Sequence, residues 1–292
     1  MHRFIVYQYG KVGSTSLVNA LNTLPESQAF QSHFMGKDAF TATLARLQDP
    51  MLPEYFFEHS AGQLIENLRI FRHFSRRDIS DDKLTIISVA REPFDWFRSC
   101  ISQDIAQHLA SFRATLQQKN ITHTDDADVL EQGMTLLFRR LLQAIEYFGS
   151  VDALCQGKRY TLHKHINIPD PNDFKNFMFL LNIFLRPHTW FNSHLEKEMN
   201  CEIRTMAPLG STALCHRQSW GNIYLLRYES LSEGFQLVLD DLEYSKEISL
   251  PHSNVSKHKP FSAELDAIFS LPEALELQVL CHSKDTKYLG YN

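Results

Sequence analysis

The residues with the clearest chemical potential lie near the start of the chain, in the stretch YQYGKVGSTSLVNAL at positions 7 to 21. The pattern predicts a strand, a loop and an abrupt helix start. Glycine allows the backbone to approach a ligand closely, and the first N–H groups of a helix lack partners within that helix. A lysine and three hydroxyl side chains add further donors. Together these groups predict a cradle for a phosphate-like anion. This anion cradle consists of Lys11, Val12, Gly13, Ser14, Thr15 and Ser16.

The loop does not match the Walker A motif of nucleoside-triphosphate-binding proteins. A motif that opened at Gly10 would need glycine and lysine at positions 15 and 16, where the chain has Thr15 and Ser16. The lysine precedes Gly13 instead, and no later strand ends in the aspartate that would bind magnesium. We therefore expect the anion cradle to bind a phosphate group without a metal ion.

A second candidate anion site follows the apolar run LTIISVA at 84 to 90. Arg91 comes directly after this predicted central strand, and Ser99 lies eight residues further on, in the next helix. Ligands of open α/β sheets bind at the carboxyl ends of the strands, where an arginine offers a bidentate fork for a phosphate. The alternative is that Arg91 pairs with a local carboxylate and Ser99 is a packed surface serine.

These segments resemble the sulfotransferases that use 3′-phosphoadenosine 5′-phosphosulfate (PAPS). GKVGSTS is similar to the family's loop around the 5′-phosphosulfate, and Arg91 with Ser99 is similar to the pair that holds its 3′-phosphate. LLRYESL at 225 to 231 is similar to a strand whose tyrosine, here Tyr228, lies near the adenine, although Ser230 replaces the usual aspartate. TWFNSHLEKEMNCEIRTM is similar to a helix and strand of carbohydrate and capsular-polysaccharide relatives, but His194 replaces their glutamate.

The resemblance also implies roles in catalysis. Lys11 would stabilise the charge on the leaving 3′,5′-bisphosphate, which is 3′,5′-ADP, and His33 in FQSHFM would be the general base. Glu58 and His59 are the reserve candidates for the base. Lys257 or Lys259 would cover the 3′-phosphate from the loop NVSKHKPF, although a solvated charge cluster explains that loop equally. His163 and His165 lack a third ligand at a recognisable spacing, so no metal site is predicted.

Periodic segments around these residues predict an α/β fold. Strands are expected at 3–9, in QAFQSHF, at 84–90, in CEIRTM and in NIYLLRY. Between them, Leu64, Leu68, Phe71 and Phe74 predict one helix face, and the stretches from Pro93 to about Phe148 and from Pro171 to Met199 read as helical. We expect a central, mostly parallel sheet flanked by helices, a P-loop-like three-layer architecture with a large helical insertion. Residues 1–292 are expected to form a single sulfotransferase domain, with a helical cover on the acceptor side at roughly 100–200.

The charge, the cysteines and the apolar runs of the sequence argue against several classes of protein. A formal charge of −5 argues against a general nucleic-acid or anionic-membrane binder. Five widely spaced cysteines without a C-x-x-C pair indicate buried thiols in a reducing compartment. The longest apolar run, FMFLLNIFL at 177 to 185, is too short to cross a bilayer, and the first strand begins too early for a signal peptide. A cytoplasmic protein is expected.

The sequence therefore predicts a PAPS-dependent sulfotransferase acting on a hydroxyl or amine of a small-molecule metabolite or glycan. One alternative is a small-molecule P-loop kinase that uses ATP, and another is a non-catalytic relative that keeps the fold as a binding module. No residue decides which acceptor is used, and the oligomeric state is left open.

Overall fold

The computed structural model describes residues 1–50, 54–79, 82–244, 248–250 and 260–291, except for the side chains at 55, 56 and 59. The chain divides into two compact units, and each is built from two separate segments. The first unit comprises Met1–Arg91 and Trp190–Ser253, and the second comprises Glu92–Thr189 and Asn254–Asn292.

The first unit contains a six-stranded sheet. In chain order its strands are β1 (His2–Tyr7), β2 (Ser27–Ser32), β3 (Lys83–Ala90), β4 (Ala207–Leu209), β5 (Ala213–Gln218) and β6 (Gly221–Arg227). The spatial order is β2-β1-β3-β6-β5-β4. The first four strands in this order are parallel, and the last two pair antiparallel. The predicted α/β class and mostly parallel sheet are confirmed.

The helices of the first unit are α1 (Ser14–Leu21), α2 (Lys37–Leu47), α3 (Glu54–Phe74), a π-helical turn (Phe191–Glu196), α10 (Lys197–Met199) and α11 (Leu231–Asp241). From β1 the chain passes to β2 on one side, but the strands that come after β3 in the chain all lie on the other side of β3. β1 and β3 are neighbours, so the direction of winding reverses between them. Such a reversal opens a crevice outside the carboxyl ends of the two strands, which is where open α/β sheets bind ligands.

The second unit is helical. It contains α4 (Pro93–Gln103), α5 (Ile105–Gln118), α6 (Asp126–Phe148), α7 (Val151–Gln156), α8 (Leu162–His165), α9 (Pro171–Trp190, its last residue belonging to the first unit), α12 (Ser262–Ile268), α13 (Pro272–Leu280) and α14 (Lys284–Tyr288). The long helix α6 packs against α5, α7, α12 and α13 around one apolar core. The predicted stripe from Phe94 to Leu109 is buried in this core.

Three details of the expected fold are wrong. CEIRTM is not a strand, because Ile203–Thr205 forms a 3₁₀ turn. The strand expected in QAFQSHF ends at Ser32, so His33 follows it. In α3 the buried positions include Ser60, Asn67, Ile70 and Phe74, whereas Leu68 is 45% exposed. A polar residue therefore occupies the centre of the buried face of α3.

Among the described residues, no helix is long and apolar enough to cross a membrane. The apolar run at 177 to 185 belongs to α9, where Phe177, Leu181 and Phe184 are core residues, as expected. All five cysteines are free thiols.

Candidate active site

The anion cradle occupies the sharp connection between β1 and α1. Gly10, Lys11 and Gly13 all have positive φ angles, of 93°, 57° and 76°. A lysine in the left-handed region is uncommon and costs on the order of 1–2 kcal/mol, and such strain clusters at ligand-binding sites. This coiled backbone is of the kind that turns successive N–H groups toward one concavity.

The start of α1 is suited to an anion. Gly13 is its N-cap and makes no side-chain capping bond, and the first turn has no acidic residue. Among the predicted cradle side chains, Thr15 is exposed, Lys11 is half-buried, and Ser14 and Ser16 are buried. Val12 is fully buried in the core, so it can contribute only its backbone to a ligand.

Arg91 joins the cradle from the end of β3. Its Nη1 donates to the Lys11 carbonyl oxygen at 2.9 Å, and its backbone N–H donates to the Tyr9 hydroxyl at 3.0 Å. Its guanidinium carbon lies 4.4 Å from the centre of the Tyr228 ring, a cation–π contact. Its Nε is buried and has no hydrogen-bond partner among the described residues. Arg91 thus connects the predicted phosphate loop to the predicted adenine residue.

Tyr228 directly follows β6 and lies over the cradle as well. A Cβ atom on Gly13 would lie 3.4 Å from Cε2 of Tyr228 and 2.8 Å from Cδ2 of Leu231. Glycine is therefore required at position 13 both for its φ angle and for this close approach. The carboxyl ends of β1, β3 and β6, three neighbouring strands, bring together Lys11, Arg91 and Tyr228.

His33 follows β2, the strand beside β1, so it belongs to the same edge of the sheet. Its Nδ1 lies 3.0 Å from the Gln8 carbonyl oxygen. Its backbone N–H donates to Asn67 Oδ1 at 3.1 Å, and its carbonyl accepts from Trp190 Nε1 at 3.2 Å. The ring is half-buried, which leaves it accessible to a substrate.

Two further elements hold the turn that contains His33. Asn67 in α3 also accepts from the Ser32 hydroxyl and donates to the Gln63 carbonyl, at 2.5 and 2.6 Å. After the turn, Lys197 pairs with Asp38 at 2.5 Å, and the Glu198 carboxylate covers the Cα of Gly36. The turn is consequently fixed on both sides of the imidazole.

Burial shapes the electrostatics beside this turn. Burial raises the pKa of the Glu198 carboxyl, and burial together with the charge of Glu198 raises the pKa of the Tyr7 hydroxyl. The Tyr7 ring packs edge-on against Trp190, with ring centres 4.8 Å apart. A largely apolar wall with one carboxyl group therefore lies beside the His33 turn.

The roles of the other predicted site residues stay predictions. Ser99 lies half-buried in α4 of the second unit, and its pairing with Arg91 stays a prediction. Lys257 and Lys259 lie outside the described residues, and so does the side chain of His59. Glu58 is exposed on α3. His163 and His165 are exposed in the short helix α8, not in a strand, and His165 stacks on Tyr147.

In the second unit, Glu92, Cys281 and His282 are residue types that bind metals, and their ligand atoms lie within 4.8 Å of one another. Each makes a local bond. Glu92 caps α4 through the Asp95 N–H and accepts from His282 at 3.2 Å, while the Cys281 thiol lies 3.2 Å from the Gln278 carbonyl. Burial favours the neutral form of Glu92, but these hydrogen bonds outweigh it and lower the pKa of the carboxyl. The contacts explain the cluster as a helix cap.

Sequence reasoning missed Gln8, Tyr9, Asn67 and Trp190 as residues that support the site. Gln8 and Asn67 carry a detectable signal, since each is a polar residue within a segment whose other buried residues are mostly apolar. Trp190 lies in TWFNSHLEKEMNCEIRTM, the segment that is similar to carbohydrate and capsular-polysaccharide relatives. Its indole N–H bond to the His33 carbonyl gives it a supporting role.

A family model described as Sulfotransferase family matches residues 1–281, which covers nearly all of the chain and both of its units. No curated protein and no solved structure matches the chain.

Proposed function

Since the chain belongs to the sulfotransferase family, we propose that it transfers the sulfuryl group of PAPS to a hydroxyl or amine of a small-molecule metabolite or glycan. The observation that supports this proposal most is the contact of Arg91 with the Lys11 carbonyl and the Tyr228 ring. That contact joins three of the segments in which the sequence resembles PAPS-dependent sulfotransferases. The family match runs through both units, which supports treating residues 1–292 as one sulfotransferase domain.

The residues at this edge of the sheet fit a donor with two phosphate groups. The anion cradle offers helix N–H groups, hydroxyls and a lysine without an acidic residue in the first turn of α1. The guanidinium of Arg91, at the carboxyl end of β3, is a cation whose planar fork of donors suits the 3′-phosphate. Tyr228, 36% exposed, offers its ring to the adenine. Ser99, Lys257 and Lys259 stay in the proposed set for the 3′-phosphate on resemblance alone.

When bound, PAPS supplies a sulfuryl group whose bond to the 5′-phosphate breaks, and the electron pair leaves with 3′,5′-ADP. Lys11 balances the negative charge that grows on the phosphate oxygens, and the first turn of α1 orients them. His33 accepts the proton of the acceptor hydroxyl or amine, which leaves an oxygen or nitrogen lone pair as the nucleophile. A histidine is suited to this task because its pKa ordinarily lies near neutral pH.

A binding experiment tests the donor. Unfolding of the protein is followed with 3′,5′-ADP, or with ATP and magnesium. We expect 3′,5′-ADP at a hundred times its dissociation constant to stabilise the folded protein by about 2.7 kcal/mol, since it binds only the native state. Stabilisation by ATP and magnesium alone would favour a kinase instead.

A turnover experiment then tests the reaction. Acceptors are screened with PAPS in the presence and absence of EDTA. We expect sulfated product at equal rates in both, because Lys11 and helix N–H groups occupy the place that magnesium has in a kinase. Loss of turnover in EDTA that magnesium restores would contradict the proposed mechanism, and binding of 3′,5′-ADP without turnover of any acceptor would indicate a binding module.

A further inference from the structure

Gln8, the first residue after β1, contacts both halves of the candidate site. It is fully buried. Its backbone N–H donates to the Ser32 carbonyl at 3.0 Å, and its own carbonyl contacts His33 Nδ1 at 3.0 Å. Its side-chain Oε1 accepts from the N–H of Gly10, the residue before the anion cradle. One buried polar residue thus touches the end of β2, the candidate base and the start of the donor loop.

The contacts of Gln8 fix the orientation of its side-chain amide. The Gly10 N–H can only donate, so the amide oxygen must face it. The amide nitrogen is then directed toward the imidazole, where it lies 3.4 Å from Nδ1 of His33. The orientation of a glutamine amide follows from its hydrogen-bond network, and this network allows one orientation.

The same contacts assign the hydrogen on the His33 ring. Two groups of Gln8 approach Nδ1 of His33: the carbonyl oxygen at 3.0 Å, which can only accept, and the amide nitrogen at 3.4 Å, which can only donate. The carbonyl contact is the shorter one, so we assign the hydrogen to Nδ1, and the amide nitrogen then only lies beside the ring. Nε2 of the neutral ring then bears the lone pair. The amide nitrogen of Gln31 lies 3.4 Å from Nε2, and an amide N–H directed at a lone pair is consistent with this assignment.

We propose that Gln8 is a positioning residue that sets Nε2 of His33 as the proton-accepting atom and couples the orientation of the ring to the donor loop through Gly10. This inference rests on the proposed function. In the reaction, the acceptor's proton goes to Nε2, and the Nδ1–H bond to the Gln8 carbonyl stabilises the resulting imidazolium. Gln8 Oε1 accepts from the Gly10 N–H, so any displacement of the loop at Gly10 when the donor binds also displaces the Gln8 amide. Gln8 transmits that shift to the ring, because its carbonyl and its side chain belong to one rigidly buried residue.

The assignment of the hydrogen is tested without turnover. Protein labelled with ¹⁵N in its histidines is examined by NMR, and the His33 signals are identified by their loss in His33→Ala. We expect neutral His33 to carry its hydrogen on Nδ1. A hydrogen on Nε2 would overturn the proposal, whether or not the protein transfers sulfate.

The coupling is tested with two variants and a control. Gln8→Met keeps the side-chain length but cannot accept from Gly10, whereas Gln8→Glu keeps an acceptor oxygen. Gln28→Met changes an exposed glutamine of β2 and is the control. In the wild type and the control, saturating 3′,5′-ADP should shift the His33 ring signals. In Gln8→Met this shift should disappear while 3′,5′-ADP still binds. An undiminished shift in Gln8→Met, or no shift in the wild type, would overturn the coupling.

Turnover adds a readout that distinguishes positioning from a purely structural role. We expect Gln8→Met to lower the single-turnover rate about 10²-fold, the usual cost of misplacing a reacting group by about 1 Å. Gln8→Glu should recover part of the rate and move the acid limb of its pH profile upward, because a carboxylate beside the imidazole stabilises its protonated form. Equal rates and superimposable pH profiles in all four proteins would contradict the proposal. If no acceptor is sulfated, the proposed function fails, and the NMR experiments still decide the role of Gln8.

Discussion

Arg91 shows how one side chain can serve two neighbours and a ligand. Its Nη1 is engaged by the Lys11 carbonyl, its face by the Tyr228 ring, and its backbone by the Tyr9 hydroxyl. These contacts hold the guanidinium in place before any ligand arrives. Preorganised donors bind an anion more tightly because less side-chain freedom is lost on binding.

Removing this side chain should therefore affect binding of the donor more than the chemical step. We expect Arg91→Ala to weaken 3′,5′-ADP binding about tenfold to a hundredfold, since a hydrogen bond to a charged group contributes ~1.5–3 kcal/mol. The single-turnover rate at saturating PAPS should fall less. Calorimetric titration measures the affinity, and Arg69→Ala, which removes an exposed arginine of α3, is the control. Unchanged affinity in folded Arg91→Ala would exclude Arg91 from the site.

Replacing His33 should have the opposite effect: the chemical step should be lost while donor binding is kept. We expect His33→Ala to bind 3′,5′-ADP normally and to lose roughly 10²- to 10⁴-fold in turnover, the usual contribution of a general base. His216→Ala is the control, because His216 lies in β5, outside the candidate site, where its ring contacts the Gln218 amide. A folded His33→Ala enzyme with near-normal turnover would move the role of base to Glu58 or His59.

At this scale the sequence indicated the charged and glycine residues as candidates, but it did not indicate the residues that support them. Lys11 and Arg91 are recognisable because a cation at the end of a buried strand has few structural uses. Asn67 is detectable as a polar residue among apolar ones, but its role could not be predicted, because that role depends on the turn after β2, which lies more than thirty residues away. Contacts between distant segments leave no local pattern in a single sequence.

At the scale of the elements, a buried ion pair connects α6 and α9. Arg140 donates to both carboxylate oxygens of Asp173, at 2.7 and 2.5 Å, and Thr115 of α5 donates to the same carboxylate at 3.2 Å. Both charged side chains are more than nine-tenths buried. A buried pair adds little net stability, but removing one partner leaves an uncompensated charge in the core.

We accordingly expect Arg140→Met to lower the free energy of unfolding by about 3–5 kcal/mol, because Asp173 loses its partner. The double variant Arg140→Met with Asp173→Leu should recover most of this loss, since both charges are then absent. Arg139→Met, which removes an exposed pair with Glu273, should change stability by less than about 1 kcal/mol. Urea unfolding measures all three. An equal loss of unfolding free energy in Arg140→Met and in the double variant would show that the ion pair itself stabilises the packing of α6 and α9.

The sequence predicted most elements because their apolar periods are long and regular, as in α6 and β3. It failed where tertiary contacts override the local pattern. CEIRTM has a strand-like composition, but Ile203 packs its side chain in the core while its backbone forms a 3₁₀ turn. The face of α3 was misassigned because Asn67 replaces an apolar residue on the buried side, where it serves the His33 turn.

Across the whole molecule, buried histidines connect stability to pH. Burial is the main cause that lowers the pKa of His2 to about 4 and that of His188 to about 3, and it lowers the pKa of His108 too. Neither ring nitrogen of His188 has a hydrogen-bond partner among the described residues. The unfolded chain takes up protons on these rings below pH 6.5, while the folded protein does not. The contribution of these neutral rings to the free energy of unfolding is complete above pH 6.5, and it is lost as the pH falls toward 4.

His188→Phe should weaken this dependence. A phenylalanine beside Phe184 has no proton to take up, so we expect the stability of the variant relative to the wild type to rise as the pH falls. The gain should be about 1.4 kcal/mol for each pH unit between 6.5 and 4. Urea unfolding at pH 7, 6 and 5 measures it, with the exposed His163 replaced as a control. Parallel stability curves for the variant and the wild type would contradict the assignment of His188.

The position of β3 in the sheet has a consequence for synthesis of the protein. β3 pairs with β1 on one side and with β6 on the other, and all of Glu92–Thr189 is made between β3 and β6. At the usual speed of translation, β6 emerges on the order of ten seconds after β3. During that interval the seven apolar or small residues that follow Lys83 in β3 have one unpaired edge, the kind of surface at which chains aggregate. The nascent chain is therefore prone to aggregate while its helical unit is being made, and any product that ends before Gly221 lacks β6 and keeps the unpaired edge permanently.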